Sequence, residues 1–202
     1  MYSALVLFKE NIDEAKKMVS LYEFLEGAIK SPLSFDDLLR YQVVYSVSAF
    51  DKLIHDVVRM GIMEIFLGTR PPTPKYLAET MSTQTYNDLI YATIPPKEYI
   101  FEQAIIKKLK IVSYQDPDKV SEGLSYIWEE KQKWKKIAAK MMMDDSTAKK
   151  TLKLIASRRN SIVHEADIDP SKNLKYSISK SECQSITEFL YQCGEAIVDL
   201  VG

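Results

Sequence analysis

The chain has 202 residues, 46% hydrophobic and 27% charged, with a formal net charge of −1. That balance excludes a disordered or collagen-like polymer and supplies enough chain to close a hydrophobic core. Six glycines and eight prolines are too few for a turn-rich all-β protein, and no run of apolar residues is long enough for a membrane span. Residues 1–10 carry no basic leader and only a short apolar run, unlike a secretory signal, so the expectation is a soluble, cytoplasmic protein.

Apolar residues recur at helical spacing along most of the chain. Leu5, Phe8, Ile12, Ala15, Met18, Tyr22 and Leu25 draw one stripe, predicting a first helix that ends near Ile29, because Pro32 disfavours helix at Ser31. Ser34 and Asp37 have the spacing of a capping box. They open a long second helix through Tyr41, Val44, Val47, Phe50, Ile54, Val57 and Ile62 to about Leu67, with Gly68 as its stop. Residues 70–96 hold five of the eight prolines and read as a loop-rich insertion with short helices near 75–79 and 85–91. Residues 97–112 resume a helix.

Asp116-Pro117 is a cap followed by proline at the first helical position. The helix it opens is expected to run through Ile127, Trp128, Trp134 and Ile137 towards Met143, with Met141, Met142 and Met143 as its packed end. Asp145 or Ser146 caps the next helix, which carries Leu152, Ile155, Ile162 and Val163 and reaches about Asp167, closed by Pro170. Ser179 and Glu182 form a second capping box for a last helix with core positions Ile186, Phe189, Leu190, Cys193 and Ile197. The nearest approach to a strand is 175–179, and it is short. The fold class is therefore all-α: one domain over 1–202, an antiparallel bundle of long helices with an elaborated middle.

Cys183 and Cys193 are ten residues apart on that last helix, about 15 Å along its axis and beyond disulfide reach. They read as reduced, half-buried thiols, and no cluster of Cys and His suggests a metal site. Charge is uneven. Residues 131–160 contain ten basic residues against Asp144 and Asp145, a segment of +8 on a remainder of −9. Such a surface suits a polyanion, although a lysine-rich helix face is equally the ordinary solvated one. Lys149, Lys150, Lys153 and Arg158 are the RNA-binding candidates, with Arg158 set about 100° round the helix from Arg159 and more in keeping with a solvated surface role.

The chain has two histidines, His55 and His164, and proton transfer near neutral pH falls most naturally on one of them. Asn160 and His164 are four apart on one helix face, and Arg159 is long enough to reach over it. RNA cleavage needs no metal where the 2′-hydroxyl is the nucleophile. A base takes its proton, an acid protonates the departing 5′-oxygen, and a cation steadies charge on the phosphorus oxygens. Histidine suits the first two tasks and the planar fork of arginine the third. One such histidine per chain cannot be base and acid in one concerted step, whereas two chains bring two. Asp51 and His55, four apart on the second helix, either line the same cleft or pair with each other.

The string Arg159-Asn160-Ser161-Ile162-Val163-His164-Glu165-Ala166-Asp167, late in an all-α chain, resembles the signature of the HEPN superfamily of helical-bundle ribonucleases: an arginine, a polar neighbour, and a histidine after four to six intervening residues. Ser48-Ala49-Phe50-Asp51-Lys52-Leu53-Ile54-His55-Asp56 is similar to what many prokaryotic members carry on the facing helix. The resemblance implies a HEPN-like bundle acting as a homodimer, with metal-independent endoribonuclease activity that leaves 2′,3′-cyclic phosphate and 5′-hydroxyl ends. It implies no cofactor, and it implies a setting in toxin–antitoxin, abortive-infection or other antiviral defence with an antitoxin or similar partner protein. By the same resemblance Arg159 stabilises the transition state, His164 transfers the proton and Asn160 positions the phosphate. One subfamily bears a tyrosine two residues after the histidine, modified by a partner nucleotidyltransferase; here that position is Ala166. The alternative is a catalytically silent HEPN-like module that binds RNA or protein. No counterpart is named for residues 70–143.

Overall fold

The structure, a computed structural model, describes residues 1–29 and 34–202; Ser31 and Pro32, invoked for the end of the first helix, lie outside them. α1 (Tyr2–Ala28) buries Ala4, Phe8, Ile12, Ala15 and Val19, the three-and-four spacing that puts one stripe against the core. The chain turns extended at Ile29, where the sequence places the break. α2 (Asp36–Phe66) starts one residue later than a Ser34 cap would require: the Asp36 N–H donates to Ser34 Oγ at 3.1 Å, and the acids Asp36 and Asp37 sit in the first turn, where the helix dipole favours them. Its end is as expected. Gly68 adopts φ +77°, a conformation cheap only without a Cβ, and its N–H donates to the Ile65 carbonyl at 3.0 Å.

α9 (Lys180–Val201) is capped by Ser179, whose hydroxyl accepts from the Glu182 N–H at 3.2 Å. α1, α2 and α9 pack into the main layer, and Gly194 of α9 lies against both Phe8 of α1 and Leu53 of α2. A Cβ there would stand 2.5 Å from the Phe8 ring and 2.8 Å from Leu53, so the missing side chain is what lets three helices meet. Within this apolar contact Thr187 Oγ1 accepts from Gln42 Nε2 at 2.9 Å and lies 3.0 Å from Ser46 Oγ, satisfying buried polar groups. Both cysteines are fully buried rather than half-buried. Burial pushes the Cys183 thiol up to about 12 and the Cys193 thiol higher still, so neither is a nucleophile near neutral pH.

The middle holds α3 (Pro74–Leu77), α4 (Thr83–Ile90) and α5 (Lys97–Leu109), each within a few residues of its expected place. One expectation fails. The helix opened by Asp116 is not continuous: α6 (Pro117–Leu124) stops, and α7 (Lys133–Lys140) begins after a turn. The carbonyls that would carry the helix onward are taken by the proline-rich segment. The Thr73 hydroxyl donates to Ser125 O and Tyr126 O at 3.0 and 2.9 Å, and Arg70 Nη1 donates to Ile127 O at 3.2 Å. α7 then folds back, with Trp134 Nε1 donating to Pro117 O at 2.8 Å. The methionine run also divides: Met141 is buried, whereas Met142, at φ +53°, projects into solvent.

α8 (Asp145–His164) is capped by Asp144, whose carboxylate accepts from Thr147 N at 2.8 Å, one residue ahead of the expected caps. It ends three residues before Asp167, because Ala166 and Asp167 take φ +52° and +58° and turn the chain into a short antiparallel hairpin. Its strands, β1 (Ile168–Asp169) and β2 (Leu174–Lys175), pair Ile168 with Lys175 and Asp169 with Leu174. Among the described residues no helix is long and apolar enough to cross a membrane.

Candidate active site

The last two turns of α8 carry Arg159, Asn160 and His164 to one open groove of about 1150 Å³. Lys153, Leu154 and Tyr176 share its walls. His164 is the final helical residue, and its imidazole is exposed. The hydrogen bond that Arg159 makes among the described residues runs from Nη1 to Asn160 Oδ1 at 3.0 Å, leaving most of the guanidinium fork uncommitted. Arg159 Nε and Ser161 Oγ are buried without a protein partner. Thus three of the residues singled out in the sequence do share a surface, with the cation and the imidazole both on it.

Arg158 behaves differently from the solvated side chain expected. Its guanidinium forms an ion pair with Asp167 Oδ1, donates to Ser177 O at 3.0 Å and lies 5.8 Å from the centre of the Tyr176 ring. The cause is Asp167, a wholly buried carboxylate. Its second oxygen accepts from Arg40 Nε of α2 at 2.6 Å. Arg40, itself buried, also donates to Tyr176 O at 2.7 Å and to Asp37 Oδ1 at 3.2 Å. Two guanidinium groups on one carboxylate therefore tie the turn after His164 to α2. A charge this deep needs such partners, and the helix end that presents His164 is fixed by them.

Asp51 and His55 part company with the groove. The His55 ring lies edge-on to Tyr114 at 4.7 Å between centres. Its Nε2 is 3.1 Å from the Val112 carbonyl oxygen and 3.7 Å from Asp51 Oδ2, and the ring opens onto a separate depression beside α5. Asp51 accepts from the Tyr114 backbone N–H. Burial raises its carboxyl above the ordinary value, against the opposing pull of the Tyr114 N–H, His55 and Arg159, so the Arg159 charge is felt at Asp51. A carboxyl whose pKa is higher folded than unfolded contributes stability that is full at acid pH and lost as pH rises through the folded value. Asp51→Asn keeps an acceptor for Tyr114 and carries no charge. It is expected to melt above the wild type near neutrality, with the gap closing towards about pH 4; parallel melting curves across that range would contradict this.

The basic segment is partly neutralised within the molecule. Lys136 pairs with Glu130 at 2.9 Å, Lys140 with Asp199 at 3.2 Å, Lys149 with Asp145 at 3.2 Å and Lys153 with Asp118 at 3.4 Å. Lys133 is buried, its ammonium 5.8 Å from the Trp128 ring centre. Lys150 is exposed with no ion partner among the described residues, and Lys153 reaches the groove. The +8 of the segment is thus not one continuous field.

Among the residues that hold or line the groove, Arg40, Asp167 and Tyr176 were given no role from the sequence. The only hint of the first was a cation among the apolar positions of α2. The set Asp167–Arg40 joins positions 127 apart, and no local pattern records it.

A family model described as RiboL-PSP-HEPN matches residues 9–202. No curated protein and no solved structure gives a significant match. The match takes in α2, α8 and α9 together with the middle region that the motif leaves undescribed, and with the predominantly helical architecture it establishes that the chain belongs to the RiboL-PSP-HEPN family.

Proposed function

We propose that the protein is a metal-independent endoribonuclease whose active site is completed by a second copy of the chain. The observation that carries this is the convergence of Arg159, Asn160 and His164 on one exposed groove. In that groove a largely uncommitted guanidinium can take two phosphate oxygens in bidentate fashion, while an exposed imidazole exchanges a proton with the ribose hydroxyl or the leaving oxygen. The 2′-oxygen attacks phosphorus, the 5′-oxygen leaves with a proton, and the products are a 2′,3′-cyclic phosphate and a 5′-hydroxyl. Base and acid are the two His164 side chains of a homodimer. Leu154, exposed on the groove wall, offers apolar surface for the second copy. Asn160 holds Arg159 in place and the phosphate with it, and Lys150 and Lys153 draw the RNA backbone in. The family setting supports a role as a toxin or abortive-infection effector held in check by a partner protein.

The test is the chemistry of the ends. Single-stranded RNA incubated with the protein in excess chelator is expected to yield cyclic-phosphate and 5′-hydroxyl termini. RNA that is bound but never cut, in a salt-dependent complex, would instead make the chain a silent binding module, and cleavage that appears only on adding a divalent ion would overturn the metal-independent chemistry.

A further inference from the structure

The first residue after β2 is an aromatic ring on the groove wall. Tyr176 is 41% exposed and lines the same groove as Arg159 and His164. Its backbone is held on both sides. Its N–H donates to the Asp167 carbonyl at 2.8 Å, and its own carbonyl accepts from buried Arg40 at 2.7 Å. The Arg158 guanidinium, 5.8 Å from the ring centre, is itself held by Asp167 and by Ser177 O. The residue is therefore anchored at its backbone, its ring is backed on one side by a fixed cation, and about two-fifths of the residue stays open on the groove that also holds His164.

The backbone of Tyr176 serves the Arg40 cluster, but its ring contributes little to the packing of the core. Tyr176 is not among the residues packed against that core, and burying a cation–aromatic pair elsewhere would serve stability better. A partly exposed aromatic side chain in the groove that holds a phosphate-binding fork suits one class of ligand. We infer that Tyr176 is the stacking platform for a nucleobase of the RNA strand, the base adjacent to the linkage held by Arg159 and His164. This rests on the ribonuclease reading and adds what it lacks, a contact that reads the base side of the chain rather than its phosphates. Stacking on an aromatic ring accepts every base because each has a π-face, so the platform sets the register of the strand in the groove with little sequence preference.

The experiment measures binding in a His164→Ala background, where RNA is held but not consumed. Two ligands of equal length and charge are compared, a short single-stranded RNA and the same backbone lacking bases. Tyr176→Ala is expected to weaken binding of the RNA about 5- to 150-fold and to leave the abasic strand unchanged. Tyr176→Phe and Tyr176→Trp should retain the affinity, and Tyr176→Leu, which keeps apolar bulk without a π-face, should lose it. Equal binding by Tyr176→Ala and its parent overturns the platform, as does an equal loss for both ligands. RNA cleavage that proceeds in the wild type and is unchanged in Tyr176→Ala refutes the platform alone; failure of the wild type to bind any RNA at low salt removes the ribonuclease reading with it.

Discussion

Replacing His164 by alanine is expected to lower the rate of RNA cleavage by about 10²- to 10⁴-fold, the usual worth of a positioned proton-transfer group. The helix content and the assembly mass should be unaffected. The side chain is exposed at the end of α8 and makes no hydrogen bond among the described residues, so its removal leaves neither a cavity nor an orphaned polar group. His55→Ala is the informative contrast. That ring is tied to the Val112 carbonyl and packed on Tyr114, outside the groove, so its loss should appear in the melting temperature and only weakly in the rate. Single-turnover cleavage with the two variants, alongside thermal melts, separates the roles. Undiminished cleavage by His164→Ala would remove this residue from the chemistry.

The largest loss of stability is expected from Asp167→Ala. The substitution leaves Arg40 and Arg158 facing each other, with side chains only 8% and 16% exposed and without the carboxylate between them. Breaking a buried pair by deleting one partner typically costs about 3–5 kcal/mol, which for a domain of this size corresponds to a fall in Tm of roughly 6–20 °C. Asp167→Asn should lie between, since an amide keeps one acceptor but no charge. Below the melting transition cleavage should fall as well, because the turn that ends α8 directly after His164 is held through Asp167. A melting curve superimposable on that of the wild type would show that the two guanidinium groups find other partners.

The long helices were legible because their signals are local. The stripe of α1, the glycine after α2, the proline after Asp116 and the capping box at Ser179 all act within a few residues of themselves. The break between α6 and α7 was not, since it depends on Thr73 and Arg70 reaching carbonyls more than fifty positions away. Residues 117–140 keep helical periodicity across a turn that tertiary hydrogen bonds impose. The end of α8 was misplaced for a related reason: the left-handed φ at Ala166 and Asp167 is held by the local bond from Asp167 N–H to the Ser161 carbonyl at 2.9 Å together with the distant partner Arg40 of the Asp167 carboxylate. At the site, the spacing of Arg159, Asn160 and His164 was enough to place them on one surface. The ring that flanks them and the buried carboxylate that fixes them come from positions without a recognisable local pattern.

The tie between Arg40 and Asp167 also bears on when the groove exists. Its two halves are made far apart in time on the ribosome, and contacts of such separation close late because a long stretch of chain must first be gathered in. A growing polypeptide stopped anywhere before the hairpin has α1 and α2 available to fold, yet lacks the carboxylate that locates His164. Synthesis itself therefore withholds the assembled groove until Asp167 and the hairpin behind it have been made, which under the proposed ribonuclease function would keep a half-made chain from cutting the RNA around it.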